Sequence, residues 1–419
     1  MLAFWLVVHT RRGSMSSCNT LYLQLQYYVL FHCKIHASLG VYSTRLKIPG
    51  KMVNHEGTFA DFATMKAGDN IYFFHKRNIY GIATLKNIGD DCKFLNFSKA
   101  NDFTREFSLD DISNEVLFAN ERNWRCNFEN NKWKEDDREL RWVCTFEPSY
   151  GIFKNGIDMD AALQSNPHAF KMLRAFEKLS FIKIDDEENQ ALKEVLLKRN
   201  LNIATNKLSE NKIEDKSKEI HKKIKKKLIN IKKYKFNPKE LLLSSVIPNK
   251  NLLKRESTLE AALLYQLSTN DDETVEVFGK WDYLSHQVVA SPFKPIIWMD
   301  KMDIFGYKYI EDNAPITSMY FVAELKKEKA EIMNVDQLLK YVDWIKNEYT
   351  IGDYSRIKAF LVASDFTDEA KNHVKQFGIR KYTTSLRDNR ASDEWSDLTL
   401  VKYRYNPEKE KLDFEIVQV

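Results

Sequence analysis

The chain has 419 residues, of which 43% are hydrophobic and 13% aromatic, and its formal net charge is +5. This length exceeds one ordinary hydrophobic core, so we expect two domains and a connector, and the apolar content excludes a wholly disordered chain. The five cysteines include no CxxC pair, which leaves a zinc ribbon and a disulfide framework unsupported. No apolar run is long enough to span a bilayer, so we expect a soluble, cytoplasmic protein.

Residues 1–200 predict a mixed α/β domain. Runs rich in β-branched and aromatic residues predict strands at 4–8, within 68–97, at 140–146 and at 180–184. Apolar residues at helical spacing predict helices at 167–179 and 187–198. Residues 14–58 show no clear period, and we assign no structure to them.

Residues 201–250 form a lysine-rich connector. Between residues 216 and 239 there are eleven lysines and one acid, so this segment carries +10 and the rest of the chain −5. Apolar residues spaced three to four apart predict a helix within it. A basic helix can hold a polyanion, although a solvated linker is an open alternative. The candidate phosphate-binding residues are Lys222, Lys223, Lys225, Lys226 and Lys227.

Residues 251–419 predict an α/β domain with a strand-helix-strand core. Helices are expected at 257–267, 334–349 and 368–377, and Ser257 with Glu260 fits a capping box at the start of the first helix. Strands are expected at 275–278, 287–290, 301–305, 319–325, 357–363, 399–405 and 411–417.

Two acidic residues and a lysine lie at the ends of two of these strands. Asp303 is in the run MDIFGY, and Glu324 and Lys326 are in AELKK. Strand alternation puts Glu324 and Lys326 on one face and turns Leu325 into the core. Carboxylate oxygens suit Mg²⁺, and a metal with a neighbouring lysine suits phosphodiester hydrolysis. The Leu325 carbonyl is a further candidate ligand, and a strand that ends in solvated charges is the structural alternative.

The helix predicted after these strands adds a polar stripe. Val335, Leu338, Leu339, Val342 and Ile345 form its apolar face. Gln337 and Tyr341 lie four residues apart beside that face, where they would border the site.

This combination resembles the PD-(D/E)XK restriction-endonuclease-like superfamily, and within it the NucS-type, Mrr-type and Shedu-type nucleases. The resemblance covers roughly residues 250–365. It implies a Mg²⁺-dependent DNA endonuclease, with Mn²⁺ as a substitute metal. It also implies that Asp303, Glu324 and Lys326 are catalytic and that Gln337 supports them, with Tyr341 as a further candidate. Residues 307–318, between the two acidic strands, depart from the family pattern as a long insertion, which we expect to form a hairpin loop.

Four nearby residues have competing interpretations. Many members of the superfamily carry an acidic residue on the helix before the core, a role that fits Glu260 better than Glu256, although capping explains Glu260 equally well. Asp300 is expected in solvent, on the strand face opposite Asp303. His286 is the one histidine near this core in sequence, and a structural role is favoured for it.

The amino-terminal run GDNIYFFHKRNIYGIATL, with the opening strand, resembles the PUA-like group that includes the EVE and YTH domains. The resemblance implies a small β-barrel with helices that holds a flipped or unstacked base of RNA or modified DNA in an aromatic pocket. Aromatic residues in such numbers also build cores, so each is a candidate only. The candidates are Trp5, Trp124, Trp133, Tyr150 and Phe153.

Two functions from different classes remain open. The first is a restriction or anti-phage endonuclease in which residues 1–200 sense a modified base, 201–250 add phosphate contacts and 251–419 cut DNA. The second is a non-catalytic nucleic-acid-binding protein with a nuclease-like docking domain, and an RNA-directed nuclease is a further alternative. A homodimer is compatible with the first function, but no residue specifies an interface.

Overall fold

The computed structural model describes residues 4–7, 41–43, 55–75, 77–96, 141–148, 156–175, 181–201, 207–229, 234–292, 298–384 and 391–419. The chain divides into two compact units. The N-terminal unit lies within Leu2–Thr58 and Met65–Asn237, and the C-terminal unit comprises Phe59–Thr64 and Pro238–Val419. None of the described helices combines the length and apolarity that a bilayer crossing requires.

Among the described residues, the N-terminal unit contains eight strands and all or part of four helices. The strands are β1 (Phe4–Val7), β2 (Val41–Ser43), β3 (Asn70–His75), β4 (Asn78–Leu85), β5 (Lys93–Asn96), β6 (Arg141–Pro148), β7 (Ile157–Asp158) and β8 (Phe181–Ile184). The helices are α1 (His55–Ala63), whose second half groups with the C-terminal unit, α2 (Met159–Ser165), α3 (Asp186–Arg199) and α4 (Lys207–Leu228).

The strands of this unit form one mixed sheet in the order β2-β6-β4-β3-β1-β8, with β5 on β6 and β7 on β4. The mixed α/β class is therefore confirmed. In the described ranges no ladder joins β2 to β8, so the strands make an open sheet there and not the small barrel that we expected. The chain leaves the sheet after β8 because Asp185 caps α3 and starts a helix at once.

One predicted helix of this unit is absent from its described part. Residues 167–175 contain a single 3-10 turn, Leu173–Ala175, in place of the helix predicted at 167–179. The backbone N–H groups of Met172 and Leu173 donate to the buried Glu188 carboxylate, at 2.8 and 3.0 Å, and this contact replaces helical hydrogen bonds.

Helix α4 carries the basic stretch of the predicted connector. Ile220 and Ile224 are buried on one side, at 5% and 1% exposure. Lys222, Lys223, Lys225 and Lys226 are exposed, and Lys227 is partly buried. The helix predicted from apolar spacing is confirmed, with its lysines on the opposite face.

The C-terminal unit contains five complete helices and twelve strands among the described residues. The helices are α5 (Lys239–Ser245), α6 (Glu256–Ser268), α7 (Asp272–Phe278), α8 (Ile332–Glu348) and α9 (Asp368–Phe377). The short strands are β9 (Val246–Ile247), β10 (Leu252–Leu253), β14 (Lys329–Ala330), β16 (Asp365–Phe366), β17 (Arg380–Thr383) and β18 (Ser392–Trp395). The main strands are β11 (Tyr283–Val289), β12 (Lys301–Tyr309), β13 (Thr317–Leu325), β15 (Ile357–Ala363), β19 (Leu398–Asn406) and β20 (Lys411–Val417).

The main strands form a sheet in the order β11-β12-β13-β15-β19-β20. The ladders β13–β15 and β15–β19 are parallel, and the other three are antiparallel. The central run from Tyr320 to Leu325 is buried on both faces, which explains its nearly continuous apolar sequence. Helix α8 packs on β13 and β15 through an apolar stripe that includes Val335, Leu338 and Ile345.

Two predictions for this unit need correction. The strand predicted at 275–278 belongs to helix α7, because the Asp271 side chain accepts from Thr274 N–H at 3.2 Å and caps a helix. The predicted insertion at 307–318 is shorter than expected, since β12 extends to Tyr309 and β13 begins at Thr317. The connection between them remains a hairpin, as predicted.

Candidate active site

Asp303 and Glu324 are brought together by the antiparallel pairing of β12 and β13. The register joins Ile304 to Ala323, so the beginning of β12 lies beside the end of β13. The carboxyl end of β13 also runs parallel to β15, with Leu325 opposite Val362. The two acidic residues, 21 positions apart in sequence, are therefore neighbours at one edge of the sheet.

The Asp303 carboxylate is held by a hydrogen bond on each oxygen. Oδ2 accepts from the backbone N–H of Leu325 at 2.8 Å, and Oδ1 accepts from Gln287 Nε2 at 3.2 Å. Burial raises the pKa of Asp303 well above its ordinary value, and the nearby Glu324 and Glu260 carboxylates raise it further. Two donors thus fix the plane of this carboxylate in a crowded acidic environment.

Glu324 is almost completely buried, with 1% of its surface exposed. Its Oε1 accepts from Lys326 Nζ at 2.6 Å, whereas its Oε2 is buried and has no hydrogen-bond donor. Burial raises the pKa of Glu324, although the Lys326 ammonium opposes that shift. A buried carboxylate oxygen without a donor has lost its hydration without protein compensation, and it is available to a cation.

Lys326 lies on the same side of the strand as Glu324, as alternation predicted, and Leu325 between them is fully buried. The ammonium also lies 3.7 Å from Glu256 Oε1. Burial lowers the pKa of Lys326, but the surrounding carboxylates of Glu324, Glu256 and Asp303 outweigh it, and the net shift is upward. Lys326 is thus a charged group with 23% of its side chain still open to solvent.

Helix α6 contributes both of its acidic residues to this region. Glu256 Oε2 accepts from the N–H of Lys327 at 3.3 Å, and Glu260 Oε2 accepts from Gln287 Nε2 at 2.8 Å. The predicted capping box is wrong, because α6 begins at Glu256 and its N-cap is Arg255. Glu260 is therefore not explained by capping, and Glu256, the less favoured of the two in the sequence, is the one that contacts Lys326.

Gln337 and Tyr341 form a hydrogen-bonded pair on α8. Gln337 Nε2 donates to the Tyr341 hydroxyl at 2.8 Å, and that hydroxyl donates to the Lys301 carbonyl at the start of β12, also at 2.8 Å. Tyr341 is buried, at 3% exposure, so it belongs to the core side of the helix and not to a separate surface stripe. Both residues support the strand that carries Asp303, and the described contacts include no bond from either to Glu324 or Lys326.

Sequence reasoning missed a chain of polar residues behind Asp303. Asp61 Oδ1 lies 3.0 Å from His286 Nε2, and Glu260 Oε1 lies 2.6 Å from His286 Nδ1. Burial lowers the pKa of His286, but the two carboxylates raise it to about 10. The His286 ring, which lies between two carboxylates, connects to Gln287 through Glu260. No sequence signal linked Asp61 to His286, since 225 residues separate them.

The site's donors suit a magnesium ion. Mg²⁺ prefers oxygen ligands and usually binds one or two carboxylates and several waters. Asp303 and the donor-free Oε2 of Glu324 supply such ligands, and the Leu325 carbonyl stays a predicted third. Across the described ranges, no three His, Cys, Asp or Glu side chains form a ready-made metal cage. A metal held here would therefore depend on two side-chain carboxylates and on carbonyl or water oxygens.

Several other candidates lie apart from this site. Asp300 is exposed, in agreement with its predicted solvation. Trp5 lies in β1 with its side chain outside the described residues, and the other base-binding candidates lie wholly outside them: Trp124, Trp133, Tyr150 and Phe153. The pocket that we predicted for a base stays a prediction.

Comparison with known proteins assigns a similarity to the C-terminal unit. The family described as the endonuclease NucS C-terminal domain matches residues 311–399. The matched segment contains Glu324, Lys326, Gln337 and Tyr341, and Asp303 precedes it. The C-terminal unit is thus similar to a NucS-type nuclease domain over that segment.

Two solved structures are similar to part of this chain. A crystal structure of a repair endonuclease from Pyrococcus abyssi is 29% identical over 22% of this chain and 36% of that chain, with a TM-score of 0.15. The structure of an EndoMS-dsDNA2 complex is 22% identical over 26% of this chain and 39% of that chain, with a TM-score of 0.18. The chain thus spans well under half the length of either solved chain. No curated protein matches.

Proposed function

We propose that the protein is a Mg²⁺-dependent endonuclease that hydrolyses phosphodiester bonds in DNA, with Asp303, Glu324 and Lys326 as its catalytic residues. The observation that carries the proposal is the grouping of Asp303, Glu324 and Lys326 at the ends of β12 and β13, in which two donors orient Asp303 and Glu324 bonds to Lys326 through Oε1 while its buried Oε2 has no donor. The match of residues 311–399 to a domain named for an endonuclease supports it.

Each residue has a role that its contacts suit. Asp303 and Glu324 would hold the metal, and the Leu325 N–H and Gln287 amide keep the Asp303 carboxylate oriented for it. Lys326, between Glu324 and Glu256, would neutralise the scissile phosphate and orient the attacking water. Gln337 and Tyr341 support the start of β12 through the Lys301 carbonyl.

When bound, Mg²⁺ or a substituting Mn²⁺ would supply Lewis-acid activation of the phosphate and of a water. Hydrolysis balances without a further reactant: water adds to phosphorus, the P–O bond to the leaving sugar oxygen breaks, and the leaving oxygen gains a proton. The protein's own contribution is the fixed carboxylate pair and one ammonium charge.

Substrate choice would belong to the rest of the chain. We extend the proposal to a base-sensing function for residues 1–200, which the amino-terminal resemblance implies, and to phosphate contacts from the exposed lysines of α4 within 201–250. Residues 251–419 would form the nuclease domain. A restriction or anti-phage role and a preference for modified bases follow from the stated resemblance.

The test is a digestion of matched plasmids that carry plain, methylated or hydroxymethylated cytosine, with Mg²⁺ or EDTA. We expect Mg²⁺-dependent nicks or breaks in at least one plasmid, and none with EDTA or with Glu324→Gln. Lys326→Ala should also cut more slowly than wild type. Its matched control is Lys402→Ala, which should cut as wild type, because Lys402 lies in the same unit and pairs with Asp365 at 2.7 Å.

Two results would overturn the proposal in favour of the alternatives. Salt-sensitive DNA binding without cleavage of any plasmid would favour the non-catalytic binding protein. Cleavage of a labelled RNA in preference to DNA of the same sequence would favour the RNA-directed nuclease.

A further inference from the structure

Gln287 has a backbone conformation that a glutamine rarely adopts. Its φ is +52°, in the left-handed region, although it lies inside strand β11. Non-glycine residues in this region are strained, and such strain persists where the surroundings require it. Within the C-terminal unit, the surroundings of Gln287 are carboxylates.

The left-handed backbone changes where two consecutive side chains point. In a regular strand His286 and Gln287 would project to opposite faces. Here both side chains bond to the same residue, with Glu260 Oε1 at 2.6 Å from His286 Nδ1 and Glu260 Oε2 at 2.8 Å from Gln287 Nε2. Because the strand alternation is broken at Gln287, the side chains of His286 and Gln287 can both reach the Glu260 carboxylate.

The Gln287 amide joins two carboxylates. Its Nε2 donates to Glu260 Oε2 at 2.8 Å and to Asp303 Oδ1 at 3.2 Å, so each of its two N–H groups has an acceptor. Gln287 also lies opposite Asp303, between the strand pairs His286–Ile304 and Val288–Met302. An amide is suited to this position because it separates two negative groups without adding charge.

His286 in turn fixes Glu260. The other ring nitrogen of His286, Nε2, lies 3.0 Å from Asp61 Oδ1, so Asp61 holds the imidazole from its far side. Asp61, His286 and Glu260 expose only 9%, 12% and 8% of their side chains. The series Asp61, His286, Glu260, Gln287 and Asp303 is thus a continuous, largely buried hydrogen-bonded chain that ends on a proposed metal ligand. We call it the positioning chain.

We propose that Gln287 is a positioning residue for the metal site, and that Asp61 and His286 hold Glu260 so that Gln287 orients the Asp303 carboxylate. This inference rests on the proposed function of Asp303 as a metal ligand. Residues that orient a ligand carboxylate commonly change metal affinity 10- to 100-fold when removed.

The test measures binding of Mn²⁺ alone, without nucleic acid, from the electron paramagnetic resonance signal of free Mn²⁺. Gln287→Gly removes the amide and also relieves the left-handed strain, so we expect an unchanged or higher Tm together with Mn²⁺ binding about 10-fold weaker. Gln287→Asn tolerates the same backbone but shortens the amide, and it should weaken binding too. Gln376→Ala, at an exposed glutamine on α9, is the control and should bind as wild type.

A second pair of variants tests the far end of the positioning chain. His286→Gln and Asp61→Asn should weaken Mn²⁺ binding and raise the Mg²⁺ concentration needed for half-maximal cleavage. His373→Gln is the matched control for His286→Gln, because His373 Nε2 also lies close to a carboxylate, 2.8 Å from Asp336 Oδ1, but apart from the site. It should change neither Mn²⁺ binding nor the Mg²⁺ requirement.

The possible outcomes distinguish the positioning role of Gln287 from the proposed metal site. If folded Gln287→Gly and Gln287→Asn bind Mn²⁺ as tightly as wild type, while Glu324→Gln does not, the positioning role is refuted and the metal site stands. If wild type itself binds no Mn²⁺ and cuts no DNA, the proposed function is refuted and the positioning role with it. Weaker binding in both Gln287 variants with normal Tm values supports the inference.

Discussion

Each of the two units contains a pair of carboxylates, a buried glutamate and a partly buried aspartate, and the two pairs are held in different ways. In the N-terminal unit, Asp185 caps α3 through the Glu188 N–H at 2.9 Å, and Glu188 Oε1 accepts from two backbone N–H groups. In the C-terminal unit, Glu324 Oε1 bonds to the Lys326 ammonium, and Asp303 is held by one backbone and one side-chain donor.

Burial is the largest cause of a raised pKa for all four carboxyl groups, and it raises the pKa of Asp185 to about 6. Glu188 Oε2 and Glu324 Oε2 are both buried without a donor. A perturbed pKa and an orphaned oxygen therefore do not separate a structural carboxylate from a functional one. The neighbours separate them, since Glu188 fastens a loop to a helix start whereas Glu324 faces a lysine at a strand end.

The largest expected effects come from removing a proposed metal-binding carboxylate, as in Asp303→Asn. The change removes a proposed metal ligand and relieves like-charge repulsion with Glu324 and Glu260, so we expect cleavage to fall about 1,000-fold, in the range of losses seen when a main electrostatic contact is removed. The Tm should change little, because the relieved repulsion is offset by the loss of one of the two acceptor oxygens that bond to Leu325 and Gln287. Initial rates on supercoiled plasmid and thermal denaturation by circular dichroism measure the two effects. Full activity in the folded variant would show that Asp303 has no part in cleavage.

Lys326→Ala is expected to have the next largest effect. Loss of the ammonium leaves Glu324 buried without its charged partner, so cleavage should fall about 100-fold and the Tm should fall as well. Lys402→Ala is the control for loss of a lysine from an ion pair in the same unit. Equal single-turnover rates for the two variants would contradict the assigned role.

Much of this site could be predicted from local sequence. Alternation correctly put Glu324 and Lys326 together and turned Leu325 inward, and apolar spacing located α8 and α9. The capping box at Ser257 failed because the helix starts at Glu256, and the strand at 275–278 failed because a four-residue apolar alternation does not distinguish a strand from a capped helix.

The positioning chain could not be predicted from local sequence, for two physical reasons. Asp61 reaches His286 across 225 residues, and only the tertiary fold sets that contact. Gln287 has a left-handed backbone, and its residue type gives no indication of that conformation. Glycine or asparagine would have signalled such a conformation, and glutamine does not.

Asp185 and Glu188 are expected to affect how the free energy of unfolding depends on pH, and not to affect cleavage. Raised folded-state pKa values for Asp185 and Glu188 mean that the folded protein binds protons more tightly than the unfolded chain. Their stabilising contribution is full below their ordinary values of 3.8 and 4.5 and is lost as pH rises through about 6 and beyond. Glu188→Gln should therefore flatten the fall in unfolding free energy over this window, measured by urea denaturation. An unchanged pH profile would mean that burial of Glu188 does not raise its pKa as described.

The smallest effect is expected from the lysine face of α4. Lys222, Lys225 and Lys226 are exposed, and replacing all three with Gln should weaken DNA binding uniformly across sequences. The slope of log affinity against log salt should become shallower by about 0.9 for each phosphate that the variant no longer neutralises. A charge-matched control replaces three exposed lysines elsewhere in the N-terminal unit, namely Lys66, Lys86 and Lys198. Identical slopes for the two triple variants would leave the solvated linker as the better account of α4.

The most direct test of the central claim compares the same change at the two buried glutamates. Plasmid cleavage in Mg²⁺ is measured for Glu324→Gln and Glu188→Gln, with folding of each confirmed by circular dichroism. We predict that Glu324→Gln abolishes cleavage and that Glu188→Gln cuts at the wild-type rate. Cleavage by a folded Glu324→Gln at the wild-type rate would contradict the assignment of this carboxylate to the active site.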